Sequence, residues 1–133
     1  MLGLADGTPP ALILGLVGDQ GSEDGILRAD EVMGLKLSAD MVVLSACQTG
    51  QGPLYNAEGV MGLARAFLYA GSRCVVCSLW PVDDRETSTL MIDLYRNLKR
   101  GADPVEALRA AQLKQITAGK PPLYWAPFIV IGE

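Results

Sequence analysis

Residues Met41 to Gly50 read MVVLSACQTG. Four consecutive apolar residues, Met41-Val42-Val43-Leu44, pass without a spacer into a turn-forming hexad. Two other runs are of the same kind, Cys74-Val75-Val76-Cys77-Ser78-Leu79 and Phe128-Ile129-Val130-Ile131. None alternates apolar with polar. A strand covered on one face would alternate, whereas a strand apolar on both faces suits a parallel sheet with helices on either side. The runs therefore predict an α/β fold.

The segments between the runs carry helical periodicity. After Asn56, a candidate N-cap, Val60, Leu63, Ala64, Phe67 and Leu68 recur at i, i+3, i+4, i+7 and i+8, and Gly71 can end the helix. From Arg85, a second stripe holds Leu90, Met91, Leu94, Tyr95 and Leu98 and closes at Gly101. Asp103-Pro104-Val105-Glu106 combines an N-cap, a proline at the first helical position and an acid at N3, so a third helix is expected to about Thr117. The order strand, helix, strand, helix, helix, strand with right-handed crossovers predicts an α/β/α sandwich with a mostly parallel sheet. Upstream, the first 25 residues are rich in Gly, Pro and Asp. Within them Ala11–Val17 is a short apolar run fit for an edge or hairpin strand, and Ala29–Leu35 reads as one or two helical turns.

At 133 residues the chain has room for one domain. Its net charge of −4 has the wrong sign for a nucleic-acid binder. It contains no histidine, which removes histidine metal sites, Ser-His-Asp triads and any Cys-His dyad complete within these residues. Three cysteines argue against a closed disulfide framework. Cys74 and Cys77 form C-x-x-C, but residues three apart in a strand point to opposite faces, so they share neither metal nor redox bond. No metal and no cofactor are expected. No leader opens the chain and no apolar run reaches the roughly 18 residues of a membrane span, so a cytoplasmic protein without membrane contact is expected.

Ligands of parallel sheets sit at the carboxyl ends of the strands. One such end is Ser45-Ala46-Cys47-Gln48-Thr49-Gly50. A thiol there, with a strand behind it and turn N–H groups around it, suits a nucleophile. On spacing alone, the simpler reading of Cys47 is a small buried core residue. The second end is Leu79-Trp80-Pro81-Val82-Asp83-Asp84-Arg85. Asp83 and Asp84 can receive a cationic substrate group, or one of them can simply cap the following helix. Trp80, Tyr124, Trp125 and Phe128 read as packing, and Arg85, Arg96, Lys99, Arg100 and Arg109 as solvated helix faces.

MVVLSACQTGQG, EGVMGLARAFLYAGSRCVVCSLWPVDD, EALRAAQ and YWAPFIVIG together resemble the C-terminal part of a CHAT domain. The resemblance runs from about Gly3 to Gly132, so residues 1–133 read as a partial CHAT domain. It implies a caspase-like three-layer α/β/α fold with N-terminal strands missing, related to caspases and separases and often linked to tetratricopeptide (TPR) repeats. It implies a cysteine endopeptidase working through a Cys-His dyad on a protein or peptide substrate. The nucleophile position falls on Cys47, with the backbone N–H groups of Gly3 and Cys47 as the oxyanion site. Leu2 then stands where the family has its histidine. Trp80-Pro81-Val82-Asp83-Asp84 resembles the block in separase-like relatives whose acid receives a basic P1 side chain, with Asp84 at that position and Asp83 beside it. Without a histidine the chain is expected to be inactive alone. It reads either as a truncated peptidase whose N-terminal half lies elsewhere, or as a short non-catalytic CHAT-like interaction module.

Overall fold

The computed structural model describes residues 10–14, 25–45 and 57–133. In chain order its elements are β1 (Ala11–Ile13), β2 (Ile26–Arg28), α1 (Ala29–Met33), β3 (Met41–Leu44), α2 (Ala57–Tyr69), β4 (Cys74–Ser78), α3 (Asp84–Lys99), α4 (Pro104–Thr117), α5 (Pro122–Trp125) and β5 (Phe128–Gly132). The three long helices and the three apolar strands stand where periodicity and composition put them. Within the Ala11–Val17 run a strand forms over Ala11–Ile13, paired antiparallel with β2, which the sequence did not announce; residues 15–17 lie outside the described residues. The expected cap at Asn56 lies outside the described residues.

The main sheet has the order β3-β4-β5, with β3 parallel to β4 and β5 antiparallel to it. The mostly parallel sheet expected from the sequence is therefore mixed among the described strands. The reason lies in the connections. One helix, α2, returns the chain to the start of the sheet, so β4 runs parallel to β3. Two helices, α3 and α4, carry the chain away and back again. The next strand then begins where β4 ended, and Phe128 pairs with Ser78 while Gly132 pairs with Cys74. A strand apolar on both faces does not encode direction; the path of the connection between strands does.

Alternate residues of the strands serve two separate apolar clusters, as the period of two requires. Val75 and Cys77 of β4 pack with Val32 of α1 and Val60, Leu63, Ala64 and Phe67 of α2, flanked by Val42, Leu44, Ile129 and Ile131. Val76 packs with Leu90 and Leu94 of α3, Ala107, Leu108 and Ala111 of α4 and Phe128, flanked by Met41, Val43 and Val130. Every residue of β4 is buried, whereas all four of β3 are only half-buried. The central strand is thus β4, and β3 forms an edge among the described strands.

Local signals fix the helix ends. Asp103 accepts hydrogen bonds from the Val105 and Glu106 N–H groups at 2.9 and 3.0 Å, with Pro104 at the first helical position. Gly71 ends α2 with φ of +111°, where a Cβ would collide with the Leu37 carbonyl oxygen. That tight approach is used: the Leu37 N–H donates to Ala70 O at 2.7 Å, and Arg73 N–H donates to Ala39 O at 3.0 Å. These bonds tie the approach to β3 onto the approach to β4 and so help set the parallel register.

Candidate active site at the strand ends

The parallel register pairs Leu44 with Cys77, so β3 and β4 finish at the same edge of the sheet. Ser45, exposed, is the first residue past β3. Cys47 and Gly3, the expected nucleophile and oxyanion positions, lie outside the described residues.

The other side of this edge is described in full. Past Ser78 the Leu79 N–H donates to Pro127 O at 3.0 Å. The Trp80 indole Nε1 donates to Leu123 O at 3.1 Å. Both bonds hold the Trp80–Asp83 segment against α5 and the turn before β5. That wall is itself braced. Lys120 Nζ pairs with Glu86 Oε1 at 2.7 Å, and Trp125 Nε1 donates to Lys120 O at 3.1 Å. Gln112 Nε2 donates to the carbonyl oxygens of Trp125 and Phe128 at 3.0 and 2.9 Å. Trp125 packs against the α3–α4 cluster, as the sequence reading has it, and both tryptophans spend their one polar donor on a backbone carbonyl. Glu86, Gln112 and Lys120 escaped sequence reasoning, because nothing in their spacing joins residues this far apart in the chain. The helix α5 escaped it too, being too short for any period to show.

Asp83 and Asp84 take different positions. Asp83 Oδ1 accepts from the Arg85 and Glu86 N–H groups at 3.0 and 3.3 Å. Asp83 is therefore the N-cap of α3, the simpler of the two roles open to it. Asp84 is the first helical residue, exposed, and its carboxylate lies in the first turn where the helix dipole favours negative charge. A cap fixes its own carboxylate on backbone N–H groups; the neighbouring Asp84 carries no such duty.

The cysteines sort themselves by environment. Cys77 belongs to the α1–α2 cluster, while Cys74 Sγ lies on the alternate face, 3.4 Å from Asp40 O. Both are buried and free, on opposite sides of the strand as the spacing predicts. Burial pushes the Cys77 thiol up to about 11. Burial also raises that of Cys74, with Arg73 pulling it down and Asp40 pushing it up more weakly. Neutral, buried thiols are poor nucleophiles. Of the three cysteines, the two that are described, Cys74 and Cys77, are accounted for as core.

The family model of the CHAT domain matches residues 6–133. The chain belongs to the CHAT domain family. Curated relatives are the tetratricopeptide repeat protein 28 of mouse and the tetratricopeptide repeat protein 28 of human, each 36% identical over 111 residues. The match takes in 81% of this chain and 4% of each of those proteins, so the chain spans about 4% of the length of the curated relatives it matches. The CHAT membership and the link to repeat-bearing relatives are those the sequence blocks point to. Among the described residues of this CHAT chain, no helix is long and apolar enough to cross a membrane.

Proposed function

We propose that this CHAT chain is the nucleophile-bearing part of a caspase-like cysteine endopeptidase unit, with Cys47 as the attacking thiol. The observation that carries the reading is the family match across residues 6–133, which includes the Ser45–Gly50 sequence block that follows β3. Three features support it. The register of β3 and β4 ends both strands at one edge, with Ser45 following the one and Leu79–Asp84 the other. The helices α1 and α2 pack with one set of strand side chains, and α3 and α4 with the other, as a three-layer caspase-like sandwich requires. Asp84 is exposed and uncommitted to capping, which supports assigning it to a basic side chain of a peptide substrate, with Asp83 capping the helix that carries it.

In this chemistry the Cys47 thiolate adds to the scissile carbonyl, the backbone N–H groups of Gly3 and Cys47 hold the oxyanion, and the C–N bond breaks to leave a thioester. The leaving amine must gain a proton, and water must then be deprotonated to release the acid. The 133 residues hold no histidine to do either. An unassisted thiol of ordinary pKa is only a few per cent thiolate at neutral pH. The base has to reach Cys47 from outside these residues, from an N-terminal CHAT half or a TPR-bearing parent chain. The free, buried Cys74 and Cys77 suit a reducing, cytoplasmic setting.

A second reading rests on that same missing histidine: a CHAT-like module that binds protein partners without cutting them. One experiment separates the two. The chain is incubated with peptides bearing a basic P1 residue, alone and with added imidazole as a free base. The peptidase reading expects no cleavage alone and slow cleavage with imidazole that Cys47→Ala abolishes. Imidazole-supported cleavage that survives Cys47→Ala, or none at all although Cys47 alkylates readily, favours the binding module.

A further inference from the structure

Away from the strand ends, Asp93, Arg96, Asn97, Arg100, Ala110 and Lys114 line a cleft of about 290 Å³ between α3 and α4. Its centre is a buried carboxylate. The Asp93 side chain is 7% exposed, and its Oδ1 receives Arg96 Nη1 at 2.9 Å and Lys114 Nζ at 2.7 Å. Arg96 is on a solvated helix face, as the sequence reading has it, and its guanidinium is also anchored on Asp93. Each anchored cation spends one N–H on that oxygen. Arg96 keeps four further donors and Lys114 two. The side chain of Arg100, beside them, makes no ion pair or hydrogen bond among the described residues. Asn97 is occupied, donating through Nδ2 to Ala107 O at 3.1 Å.

Three cations against one carboxylate leave the cleft at +2, in a chain whose net charge is −4. A net positive pocket with pre-placed donors from two helices, on an otherwise acidic molecule, calls for an anion. A charge of +2 matches a dianion, and a guanidinium fork matches the oxygens of phosphate. The volume lies at the small end of ligand sites and suits a phosphate-sized group. We propose that this cleft binds a phosphate dianion, free or borne by a small phosphomonoester, with Arg96, Arg100 and Lys114 as its donors.

The test is an amide-resolved NMR titration of the 133-residue chain near neutral pH, at constant ionic strength, with inorganic phosphate and with O-phosphoserine. Saturable shifts confined to residues 93–100 and 110–114, in the millimolar range, are expected. Tighter binding of O-phosphoserine marks the monoester as the ligand; tighter binding of inorganic phosphate marks the free ion. Arg100→Gln, which removes a side chain with no ion pair or hydrogen bond among the described residues, weakens binding about tenfold without changing the melting temperature. Arg109→Gln, on α4 but outside the cleft, leaves binding unchanged. Shifts that never saturate, equal shifts from chloride or acetate at the same ionic strength, or full binding by Arg100→Gln overturn the proposal.

Discussion

The Asp93 clamp allows a prediction in which removing either side of one interaction gives unequal results. Asp93 of α3 is buried, while the Arg96 and Lys114 side chains that it holds are 51% and 63% exposed. Hydrogen bonds to charged groups are worth about 1.5–3 kcal/mol each, and solvent screening at these half-exposed cations reduces each here to about 1 kcal/mol. Asp93→Ala loses both, about 2 kcal/mol, offset by about 0.5 kcal/mol from the better helix propensity of alanine. The freed cations simply return to water. Arg96→Met and Lys114→Met keep the aliphatic stems, and each alone costs about 1 kcal/mol because Asp93 retains one partner. The double variant is different in kind, since it leaves a buried carboxylate with no cation, which costs about 3–5 kcal/mol. The ordering to be measured by urea denaturation is therefore double variant, then Asp93→Ala, then either single. For a chain of this length each kcal/mol moves the melting temperature by about 3–5 °C, so Asp93→Ala melts about 5–7 °C lower and the double variant at least about 10 °C lower. A double variant whose loss equals the sum of the singles, or does not exceed that of Asp93→Ala, would refute the argument that burial of the carboxylate dominates.

Three more predictions follow from particular contacts. Asp83→Ala costs about 1 kcal/mol by uncapping α3, Asp83→Asn costs little, and Asp84→Asn leaves the melt unchanged; a melt that responds to Asp84 and not to Asp83 would reverse their roles. Gly71→Ala costs about 2–3 kcal/mol, from left-handed backbone plus collision with Leu37 O, whereas Gly101→Ala, at φ of +94° with no heavy atom within 4 Å, costs only about 1 kcal/mol; equal melts of the two variants would refute the steric part. Cys77 has its thiol raised from 9.0 to about 11 by burial. The unfolded thiol ionises first, so its contribution is intact below pH 9.0 and is lost as the pH climbs towards about 11; Cys77→Ala should flatten the stability curve across that window, and an unchanged slope would count against the shift.

Features with a local cause were legible in the sequence. The caps at Asp83 and Asp103 are spelled by the residue and its two followers, and the stripe of α3 by spacing alone. The strand positions were legible because twelve or so residues that are apolar whichever way they face have few other uses. Direction was not, because β5 carries the same pattern as β4 and turns antiparallel only through the pairing of α3 with α4. Burial of Asp93 was hidden for a related reason. An acid three residues before an arginine is the pattern of an ordinary surface pair, and only the arrival of Lys114 from another helix makes it a clamp.

The candidate site divides along the same line. Asp83, Asp84 and Cys47 were found through short contiguous blocks, whereas the wall of Glu86, Gln112, Lys120 and Trp125 is assembled from three elements and has no contiguous signature. The strands show what a pattern can and cannot say about this site. Met41–Leu44 and Cys74–Ser78 are equally apolar, yet β3 is half-buried and β4 fully buried. Pattern encodes the capacity for burial; neighbours supply it. With β4 bonded on both sides and β3 on one among the described strands, β3 holds the less protected backbone. Ser45, where the nucleophile block begins, follows directly on that strand. Anything that pairs with the outer edge of β3 therefore steadies the strand end that Ser45 follows, which is where the proposed peptidase reading seats its nucleophile.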